Sequence, residues 1–219
     1  MVSMQISGSN KLKNILTLIS KLNLFKSLYY SIKFRGRIFV GKAEFHIDGN
    51  GKIEFSTPKS YLLIGVHTTI ATPTVLTIMH NATLRVGQNS MINRGSKIVI
   101  HEGGSLVIGN NTYINENARI HCRKYIQIGN NCAIAWNTNI MDTDLHTIHY
   151  TNNKKNNDED IIIGNHVWIG ANSVILKGST IEENCIVAAN SLVNGKLRGK
   201  YIYGGNPCQE LKTFETWSL

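Results

Sequence analysis

The sequence from Ile163 to Lys196 reads IGNHVWIGANSVILKGSTIEENCIVAANSLVNGK, and its aliphatic residues decide the fold. They recur at a strict spacing of six: Ile163, Ile169, Ile175, Ile181, Val187 and Val193. Six residues turn an α-helix through about 600°, so each successive side chain would point about 120° away from the last. The spacing therefore excludes one face of an amphipathic helix and indicates a series of short strands.

The same spacing extends towards the N-terminus. It links four further sets of three residues: Ile64, Ile70 and Leu76; Val86, Ile92 and Ile98; Ile108, Ile114 and Ile120; and Ile128, Ile134 and Ile140. Two positions before most of these aliphatic residues stands a smaller one, as at Ser96, Thr138, Ser173 and Ser179. One large and one small inward residue per six is what a triangular coil of three short strands requires, with coils stacked about 4.8 Å apart. The sequence thus predicts an all-β solenoid.

Interruptions of the spacing predict where loops leave the solenoid. Four steps exceed six residues: Leu76 to Val86, Ile98 to Ile108, Ile120 to Ile128 and Ile140 to Ile163. All four fall between the same two sides of the coil, so we expect their loops at one corner, one above another. Loops stacked on one face of a solenoid commonly form its binding surface. The longest, at about 141–160, is therefore the first candidate for a functional site.

This loop begins MDTDLHTIHY, which places Asp142, Asp144, His146 and His149 within eight residues. Histidine is the usual base for taking a proton from a hydroxyl near neutral pH. A carboxylate at the far ring nitrogen fixes the tautomer and stabilises the imidazolium that forms. Polar residues also suit a solvated surface loop, and spacing alone does not choose between the two interpretations.

With these motifs, the repeats resemble the hexapeptide-repeat acyltransferases, whose fold is the left-handed parallel β-helix. MDTDLH resembles the loop motif of capsule and exopolysaccharide O-acetyltransferases. The handedness is implied by the resemblance alone, because general crossover statistics favour the opposite hand. The resemblance implies acetyl transfer from acetyl-coenzyme A to a sugar hydroxyl of a surface polysaccharide or its precursor. His146 would be the base and Asp144 or Asp142 its orienting partner, with no metal; His149 has no implied role.

The resemblance also implies residues that bind the acceptor and line the donor cleft. Asn115 matches an asparagine that helps to hold the acceptor in galactoside acetyltransferases, although an ordinary turn residue fits the position equally well. Trp168 matches an aromatic residue expected to line the acetyl-coenzyme A cleft, and Trp136 is its rival. Relatives are homotrimers with each cleft between two neighbouring chains, so we expect the same assembly here.

Donor-binding residues are implied in the last third of the chain. Small residues at Ala171 and Ala189 match the positions along which the pantetheine arm lies in relatives. Coenzyme A carries several phosphate charges, which lysine can bind as a point charge. Lys196 and Lys212 are the preferred candidates and Lys200 is a third, although a solvated surface lysine is an equally ordinary interpretation of each.

Charge and periodicity set the N-terminal segment apart. Residues 1–43 hold eight basic residues and no acidic one, so nearly the whole formal net charge of +9 belongs to them. Charge confined to one segment, without a nucleic-acid-binding motif, argues against nucleic acid as a partner. Apolar residues at helical spacing predict an amphipathic helix over residues 9–30. Either this helix caps the first coil, or residues 9–37 lie on an anionic membrane surface.

Three regions are therefore expected: a basic amphipathic helical segment at 1–36, the β-helix at 37–195 and a C-terminal tail at 196–219. The turn GGNP at 204–207 is expected to end the solenoid, followed by a short covering helix at 208–217. Four widely spaced cysteines without a CxxC pair indicate reduced thiols in a cytoplasmic protein.

Two alternative functions are considered, one with a different acceptor and one in a different class of enzyme. One is acetyl transfer to a different small hydroxyl acceptor. The other is a metalloenzyme similar to the carbonic anhydrases that share this solenoid, with ligands drawn from His121, His146 and His149. The spacing of these histidines is unfavourable for zinc, and the C-terminal part resembles a coenzyme A site. A purely structural solenoid would need neither the long loop nor its DxDxH sequence.

Overall fold

The structure, a computed structural model, describes residues 20–66, 72–147, 149, 151 and 157–218. Within these residues the chain winds through three sheets, and each coil contributes one strand to each sheet in turn. All strand pairs of the coils are parallel, as from β10 (Tyr113–Ile114) to β13 (Ala133–Ile134). The predicted solenoid is confirmed, and its fold is a left-handed parallel β-helix.

The strands divide regularly among the sheets, in the order in which they stack. Sheet A contains β1 (Arg37–Val40), β4 (Tyr61–Ile64), β7 (Ser90–Ile92), β10, β13, β16 (Trp168–Ile169), β19 (Ile186–Val187), β22 (Tyr201–Gly204) and β23 (Gln209–Thr213). Sheet B contains β2 (Ala43–Ile47), β5 (Thr74–Ile78), β8 (Lys97–Ile100), β11 (Arg119–Cys122), β14 (Asn139–Met141), β17 (Val174–Leu176) and β20 (Leu192–Val193). Sheet C contains β3 (Lys52–Phe55), β6 (Thr83–Val86), β9 (Ser105–Ile108), β12 (Tyr125–Ile128), β15 (Ile161–Ile163), β18 (Thr180–Ile181) and β21 (Lys196–Leu197).

The aliphatic ladders stack inside the triangle as the spacing predicts. Ile128 pairs with Ile108, Ile134 with Ile114 and Ile140 with Ile120. None of these six side chains is more than 1% exposed, and the small residues two positions earlier are also buried: Thr112, Ala118, Cys132 and Thr138. Burying one such isoleucine contributes about 1.5–3 kcal/mol. A dry, close-packed core of this kind fixes the corners from which the loops depart.

All four interruptions of the spacing lie at the corner where sheet B passes into sheet C, here called the B/C corner. The last of them separates Ile140 in β14 from Ile163 in β15. The expectation that these loops leave at one corner is confirmed. The opposite edge of sheet B is the A/B corner, whose stacked turns include Asn117, Asn137 and Asn172 with φ between 57° and 59°. Asparagine tolerates this left-handed conformation better than most residues.

One prediction from the spacing is wrong. Ile64 ends β4 in sheet A and Leu76 lies in β5 of sheet B, so they occupy consecutive sides of one coil and not the first and third. The same step takes six residues in later coils, as from Ile114 to Ile120, but twelve here. The chain thus carries an insertion at the A/B corner, and Ile70 lies outside the described residues. A six-residue insertion preserves the period, so the pattern alone could not reveal it.

The predicted N-terminal helix also differs from the described structure. Helix α1 runs Leu24–Lys33, and its N-cap is Asn23, whose Oδ1 accepts a hydrogen bond from Lys26 N at 2.9 Å. Residues 21–23 are not helical, so the predicted helix over 9–30 is interrupted at this cap, and the helix continues beyond residue 30. Residues 1–19, which include most of the predicted apolar stripe, lie outside the described residues.

Helix α1 covers the free edge of β1. Asn23 N donates to Val40 O at 2.7 Å, Val40 N donates to Ser27 Oγ at 2.9 Å and Ile38 N to Ser31 Oγ at 3.0 Å. Backbone groups at a sheet edge would otherwise invite pairing with another chain. Hydroxyl groups of the helix therefore replace the strand that is missing at this end of sheet A.

The predicted covering helix at 208–217 is wrong. Residues Gln209–Thr213 form β23, which pairs antiparallel with β22 and closes the other end of sheet A. Gly204 ends β22, so the GGNP turn is the connection of a hairpin, and hairpin pairing satisfies the edge that a helix would leave open. Among the described residues, no helix combines the length and the apolar character needed to cross a membrane.

Candidate active site

The long loop leaves the β-helix after β14 and returns at β15. Its two ends are joined by an isolated antiparallel bridge between Thr143 and Asp158, where Thr143 Oγ1 donates to Asp158 Oδ1 at 2.5 Å. Asp144 N donates to Asn157 O at 3.0 Å across the same gap. These bonds hold the base of the loop, while residues 148, 150 and 152–156 lie outside the described residues.

Asp142 anchors this loop to the coil below it. The side chain is fully buried, and its two carboxylate oxygens accept hydrogen bonds from Arg123 N at 2.7 Å and Lys124 N at 2.8 Å. Burial raises the pKa of the Asp142 carboxyl above the usual aspartate range, although the backbone hydrogen bonds act in the opposite direction. Both oxygens are thus engaged with backbone amides, which anchors the loop, and the expected role of Asp142 in orienting His146 stays a prediction.

Asp144 has a charged partner that the sequence did not indicate. Its Oδ2 forms an ion pair with Nζ of Lys177, which follows β17 in the next coil and also donates to Asn157 O at 3.3 Å. The Lys177 side chain is only 17% exposed, so this pair is better shielded from water than the other ion pairs of the described residues. Asp144 therefore ties the loop to β17, and an orienting contact with His146 stays a prediction.

His146 follows a turn that is fixed by Thr143. Leu145 N donates to Thr143 Oγ1 at 3.0 Å, and Leu145 adopts a φ of 58°, which is rare for a leucine. The imidazole of His146 is exposed to solvent, and it has no hydrogen-bond partner among the described residues. A strained turn that presents a solvent-facing histidine is typical of a functional loop. His149 is exposed as well.

Asn115 lies at the other edge of sheet B, in the turn after β10. Its Oδ1 accepts hydrogen bonds from Asn93 Nδ2 at 3.1 Å and Glu116 N at 2.9 Å, and the side chain is half-buried. This amide belongs to a polar column at the A/B corner, and its Nδ2 group is the part still available for a ligand. Both expected roles, turn residue and acceptor ligand, are compatible with these contacts.

Trp168 lies on the outer face of sheet A between Ala133 and Ile186. It is 43% exposed, and the Trp217 ring covers part of it at a centroid distance of 6.0 Å. Trp217 in turn stacks on His166 at 4.5 Å, and its Nε1 donates to His166 O at 3.0 Å. The chain's own C-terminal segment therefore covers part of the ring that is expected to line the donor cleft.

Ala171 and Ala189 lie one above the other at the A/B corner. Asn190 N donates to Ala171 O at 2.9 Å, which joins the two turns. A Cβ atom built on Gly170 would lie 2.5 Å from Ala189 N, so only glycine allows these coils to approach so closely. Trp136 lies at the same corner one coil below and is 53% exposed. The corner thus forms an edge of small residues bounded by an exposed ring.

The two preferred lysines lie on different sheets. Lys196 is an exposed residue at the start of β21 in sheet C, and Lys212 is exposed in β23 beside Ile202. Sheet C faces away from the A/B corner, so Lys196 is not on the edge formed by Ala171 and Ala189. Neither lysine is paired with an acidic residue in the described part of the chain.

Within one chain, the predicted site residues therefore occupy two corners. His146 and Asp144 belong to the B/C corner, whereas Asn115, Ala171 and Ala189 belong to the A/B corner. About five residues of extended chain separate the edges of sheet B, which corresponds to roughly 16 Å. One chain alone does not bring the base to the residues expected to bind the donor and the acceptor.

The third histidine of the metalloenzyme alternative has a different neighbour. His121 lies on the outer face of β11, with Nδ1 3.4 Å from Nε2 of His101. Burial lowers the pKa of both imidazoles. In the described part of the chain, no three histidine, cysteine or acidic residues are grouped as metal ligands. His121 therefore contacts His101 and not the loop histidines.

Comparison with known proteins shows which class of proteins this chain resembles. Residues 160–195 match the family model described as bacterial transferase hexapeptide (six repeats). The fold of the crystallised polysialic acid O-acetyltransferase OatWY superimposes with a TM-score of 0.63 at 25% identity, covering 80% of this chain and 92% of that one. The resemblance to hexapeptide-repeat acyltransferases is confirmed.

The relatives that the sequence matches include sugar O-acetyltransferases. Galactoside O-acetyltransferase of Escherichia coli (strain K12) is 34% identical over 106 residues, which are 48% of this chain and 52% of that protein. Polysialic acid O-acetyltransferase of Neisseria meningitidis is 47% identical over 55 residues, which are 24% of this chain and 26% of that protein. The chain spans about half or less of the length of these curated relatives.

Proposed function

We propose that this protein is an O-acetyltransferase that moves an acetyl group from acetyl-coenzyme A to a sugar hydroxyl of a surface polysaccharide or its precursor. The observation that carries the proposal is the anchored loop at the B/C corner, which presents the exposed His146 beside the β-helix. The named activities of the relatives, acetyl transfer to galactosides and to polysialic acid, support the reaction class and the kind of acceptor.

In the proposed reaction His146 is the general base. Its unprotonated ring nitrogen takes the proton of the acceptor hydroxyl while the hydroxyl oxygen attacks the thioester carbonyl carbon. The carbon–sulfur bond then breaks, the acetyl ester remains on the sugar, and the imidazolium returns its proton to the departing thiolate. Thr143, Asp142 and Asp144 contribute by holding the loop that presents this ring.

A covalent acyl-enzyme on cysteine is not part of the proposal. Burial raises the pKa of the Cys132 thiol to about 11 and that of the Cys185 thiol to about 12, and it also raises the pKa of Cys122. Since the thiolate is the nucleophilic form, these buried thiols are unreactive near neutral pH. Direct transfer from coenzyme A to the sugar is the simpler course.

The separation of the two corners supports a homotrimer with sites between chains. In a three-fold assembly with sheet B facing the axis, the B/C corner of one chain meets the A/B corner of the next. His146 of one chain would then face Asn115, Ala171 and Ala189 of its neighbour. The outer face of sheet B carries aliphatic residues that such packing would bury: Val99, Met141, Val174, Leu176 and Leu192.

The donor is proposed to lie along the A/B corner. Ala171 and Ala189 leave room for the pantetheine arm, and the exposed rings of Trp136 and Trp168 bound the same side of the β-helix. Lys212 is on the strand that pairs with sheet A and is the better placed of the two preferred lysines for a phosphate. Lys196 lies near the B/C corner, so it would serve a donor held by the neighbouring chain.

Replacing His146 with alanine tests the proposal. We expect kcat for acetyl transfer to a responsive glycan to fall by about 10²–10⁴ while the Kd for acetyl-coenzyme A stays within about two-fold, because the base acts only in the chemical step. His80→Ala, an exposed histidine three coils below at the same corner, is the matched control and should retain full turnover. Near-normal turnover of His146→Ala, or accumulation of an acetylated enzyme, would contradict the mechanism.

The same assay separates the alternatives. Transfer to a non-sugar hydroxyl but to no glycan in a panel would favour the other small acceptors. Hydration of carbon dioxide that depends on added zinc, without consumption of acetyl-coenzyme A, would favour the metalloenzyme. A cytoplasmic location stays a prediction, which fractionation of cells expressing the protein would test.

We also propose that the N-terminal segment contacts an anionic membrane surface. While one face of α1 covers β1, the other exposes large apolar side chains: Leu24 62%, Phe25 90%, Leu28 63%, Tyr29 59% and Ile32 68%. Lys33, Arg35 and Arg37 follow this face without an acidic residue between them, while Lys26 Nζ donates to Ala43 O at 3.0 Å. An apolar face with basic flanks is typical of helices that lie in the interface of anionic bilayers.

A further inference from the structure

An open cleft lies at the A/B corner of sheet B and extends from the turn before β5 to the turn before β17. Its volume is about 500 Å³, within the range of small-ligand sites. It spans five stacked coils, and its polar side chains are two cations, four asparagines and one threonine: Lys97, Arg119, Asn117, Asn137, Asn139, Asn172 and Thr72. Acidic residues are absent from the lining, so the cleft has a positive potential.

The two cations are direct neighbours in the sheet. Arg119 at the start of β11 pairs in register with Lys97 at the start of β8, and both side chains are exposed on the outer face. Like charges side by side on adjacent strands repel each other and destabilise the sheet. Neither cation belongs to an ion pair of the described residues. The positive charge of Arg119 contributes, after burial, to the lowered pKa of His121.

The asparagines add neutral hydrogen-bonding groups beside these charges. Asn137 Nδ2 donates to Asn172 Oδ1 at 3.1 Å, and Asn139 Nδ2 donates to Asn137 O at 3.2 Å. These contacts leave Asn137 Oδ1, Asn139 Oδ1 and the Asn172 amide hydrogens available at the cleft. Amide groups that donate and accept suit sugar hydroxyls, while the guanidinium of Arg119 can bind a carboxylate through two parallel hydrogen bonds.

The cleft extends to Asn172 beside Ala171, but its two cations lie further along the stack from the expected donor edge. Ala171 and Ala189, the expected donor edge, lie on the C-terminal side of the coil that carries the long loop. Arg119 and Lys97 lie on its N-terminal side, one and two coils below β14 respectively. A ligand at the cations would therefore reach the level of the loop from the N-terminal side of the stack, and a donor at Ala171 and Ala189 would reach it from the C-terminal side.

We infer that this cleft binds the acceptor, and that the acceptor is an acidic glycan whose carboxylate pairs with Lys97 and Arg119. The inference rests on the proposed function in taking the bound glycan as the acetyl acceptor. The same two cations would also attract a phosphate of coenzyme A, which shares the anionic chemistry. The experiment must separate these two sources.

Binding is measured by calorimetry without acetyl-coenzyme A, with tetragalacturonate, α2,8-linked tetrasialic acid and fully methyl-esterified tetragalacturonate as probes. We expect at least one acidic probe to bind about ten-fold or more tightly than the ester, and to weaken as salt is raised. Lys97→Gln/Arg119→Gln should lower that affinity at least ten-fold and Arg119→Lys by less, because lysine keeps the charge but loses the paired geometry. Lys52→Gln, an exposed lysine at an outward strand position of sheet C, should change nothing.

In the kinetic arm, Lys97→Gln/Arg119→Gln should raise the KM of the acidic acceptor about ten-fold or more, with the Kd for acetyl-coenzyme A unchanged. A comparable loss of acetyl-coenzyme A affinity would assign the cations to the donor phosphate and overturn the inference. Equal binding of the ester, unchanged binding by the double variant, or binding of neither acidic probe would overturn it too. If no glycan is acetylated, the proposed function fails, and the calorimetric arm still decides what the cleft binds.

Discussion

Asp144 illustrates at the scale of single residues how a motif can mislead about a partner. DxDxH suggests a carboxylate beside the histidine, yet the structure pairs Asp144 with Lys177 from the next coil. The Lys177 side chain is only 17% exposed, so water screens this pair less than it screens a fully exposed ion pair. In the structure, Asp144 fixes the position of the loop that carries His146.

Substitutions at both ends of this pair test that role. We expect Asp144→Asn and Lys177→Met to lower kcat by a similar factor of about 3–30, since each releases the loop from β17, and the double variant to add little further loss. Lys124→Met, whose exposed ion pair with Asp160 lies at the same corner, is the control and should cost less than two-fold. A loss above 10³ confined to Asp144→Asn would instead show that Asp144 orients the imidazole directly.

The sequence predicted the residues of the candidate site better than it predicted their contacts. His146 stands on the long loop as expected, because the interruption of a strict period locates a loop without any knowledge of contacts. Lys177 and Thr143 were missed because they occupy ordinary repeat and loop positions. Their partners Asp144 and Asp158 are brought to them only by the return of the chain after the loop. Trp217 was missed for the same reason, since its partner His166 is 51 residues away.

At the scale of elements, the strands of the β-helix follow the six-residue period. A substitution at one core position measures how much this regular packing contributes to stability. Ile134→Ala in β13 should lower the free energy of unfolding by about 2–5 kcal/mol, because the side chain is fully buried between Ile114 and Ile169. Val107→Ala, at an outward position of β9, should cost about 1 kcal/mol or less. Equal losses for the two variants in denaturant titrations would show that Ile134 does not face the core.

The exposed face of α1 can be tested without disturbing its contact with β1. Phe25→Glu/Ile32→Glu should abolish sedimentation with vesicles containing anionic phospholipid, because both side chains point away from the β-helix, and should leave thermal stability nearly unchanged. Ser27→Ala is the complementary variant. It should leave vesicle binding intact but destabilise the fold by about 1–3 kcal/mol, because Val40 N loses its buried partner. Unaltered vesicle binding by the first variant would leave α1 as a cap alone.

Elements at the ends of the solenoid were less predictable than its middle. Inside the stack, one inward aliphatic residue per side dictates each strand, so the period alone identifies most of them. At the ends, an element packs against a neighbouring strand on one side only, and this contact determines its structure where the six-residue period does not. Asn23 caps helix α1 at its N-terminus, and the GGNP turn leads into β23 because pairing with β22 satisfies an open edge. Such choices depend on what the edge lacks, which the local sequence does not contain.

At the scale of the whole molecule, the proposed site would be complete only in the proposed homotrimer. Light scattering in solution should give three chains per particle. Mixing two inactive variants tests whether each site is shared: His146→Ala lacks the base, and Ala189→Trp fills the donor edge at the exposed A/B corner. If the base of one chain serves the corner of the next, random co-assembly should restore about a quarter of the normal activity. No activity in the co-expressed mixture would place base and donor on the same chain.

The one-dimensional stacking of the coils has a consequence for how the molecule opens. Each strand of sheet A bonds only to the strand above and the strand below, so the ends can fray while the interior stays folded. The long loop leaves the coil that contains β13 and β14. In sheet A, β13 is the fifth of the eight strands that run from β1 to β22. Thermal opening that begins at either terminus must therefore undo several turns of chain before it reaches Thr143. Loss of the ends would precede loss of the catalytic geometry.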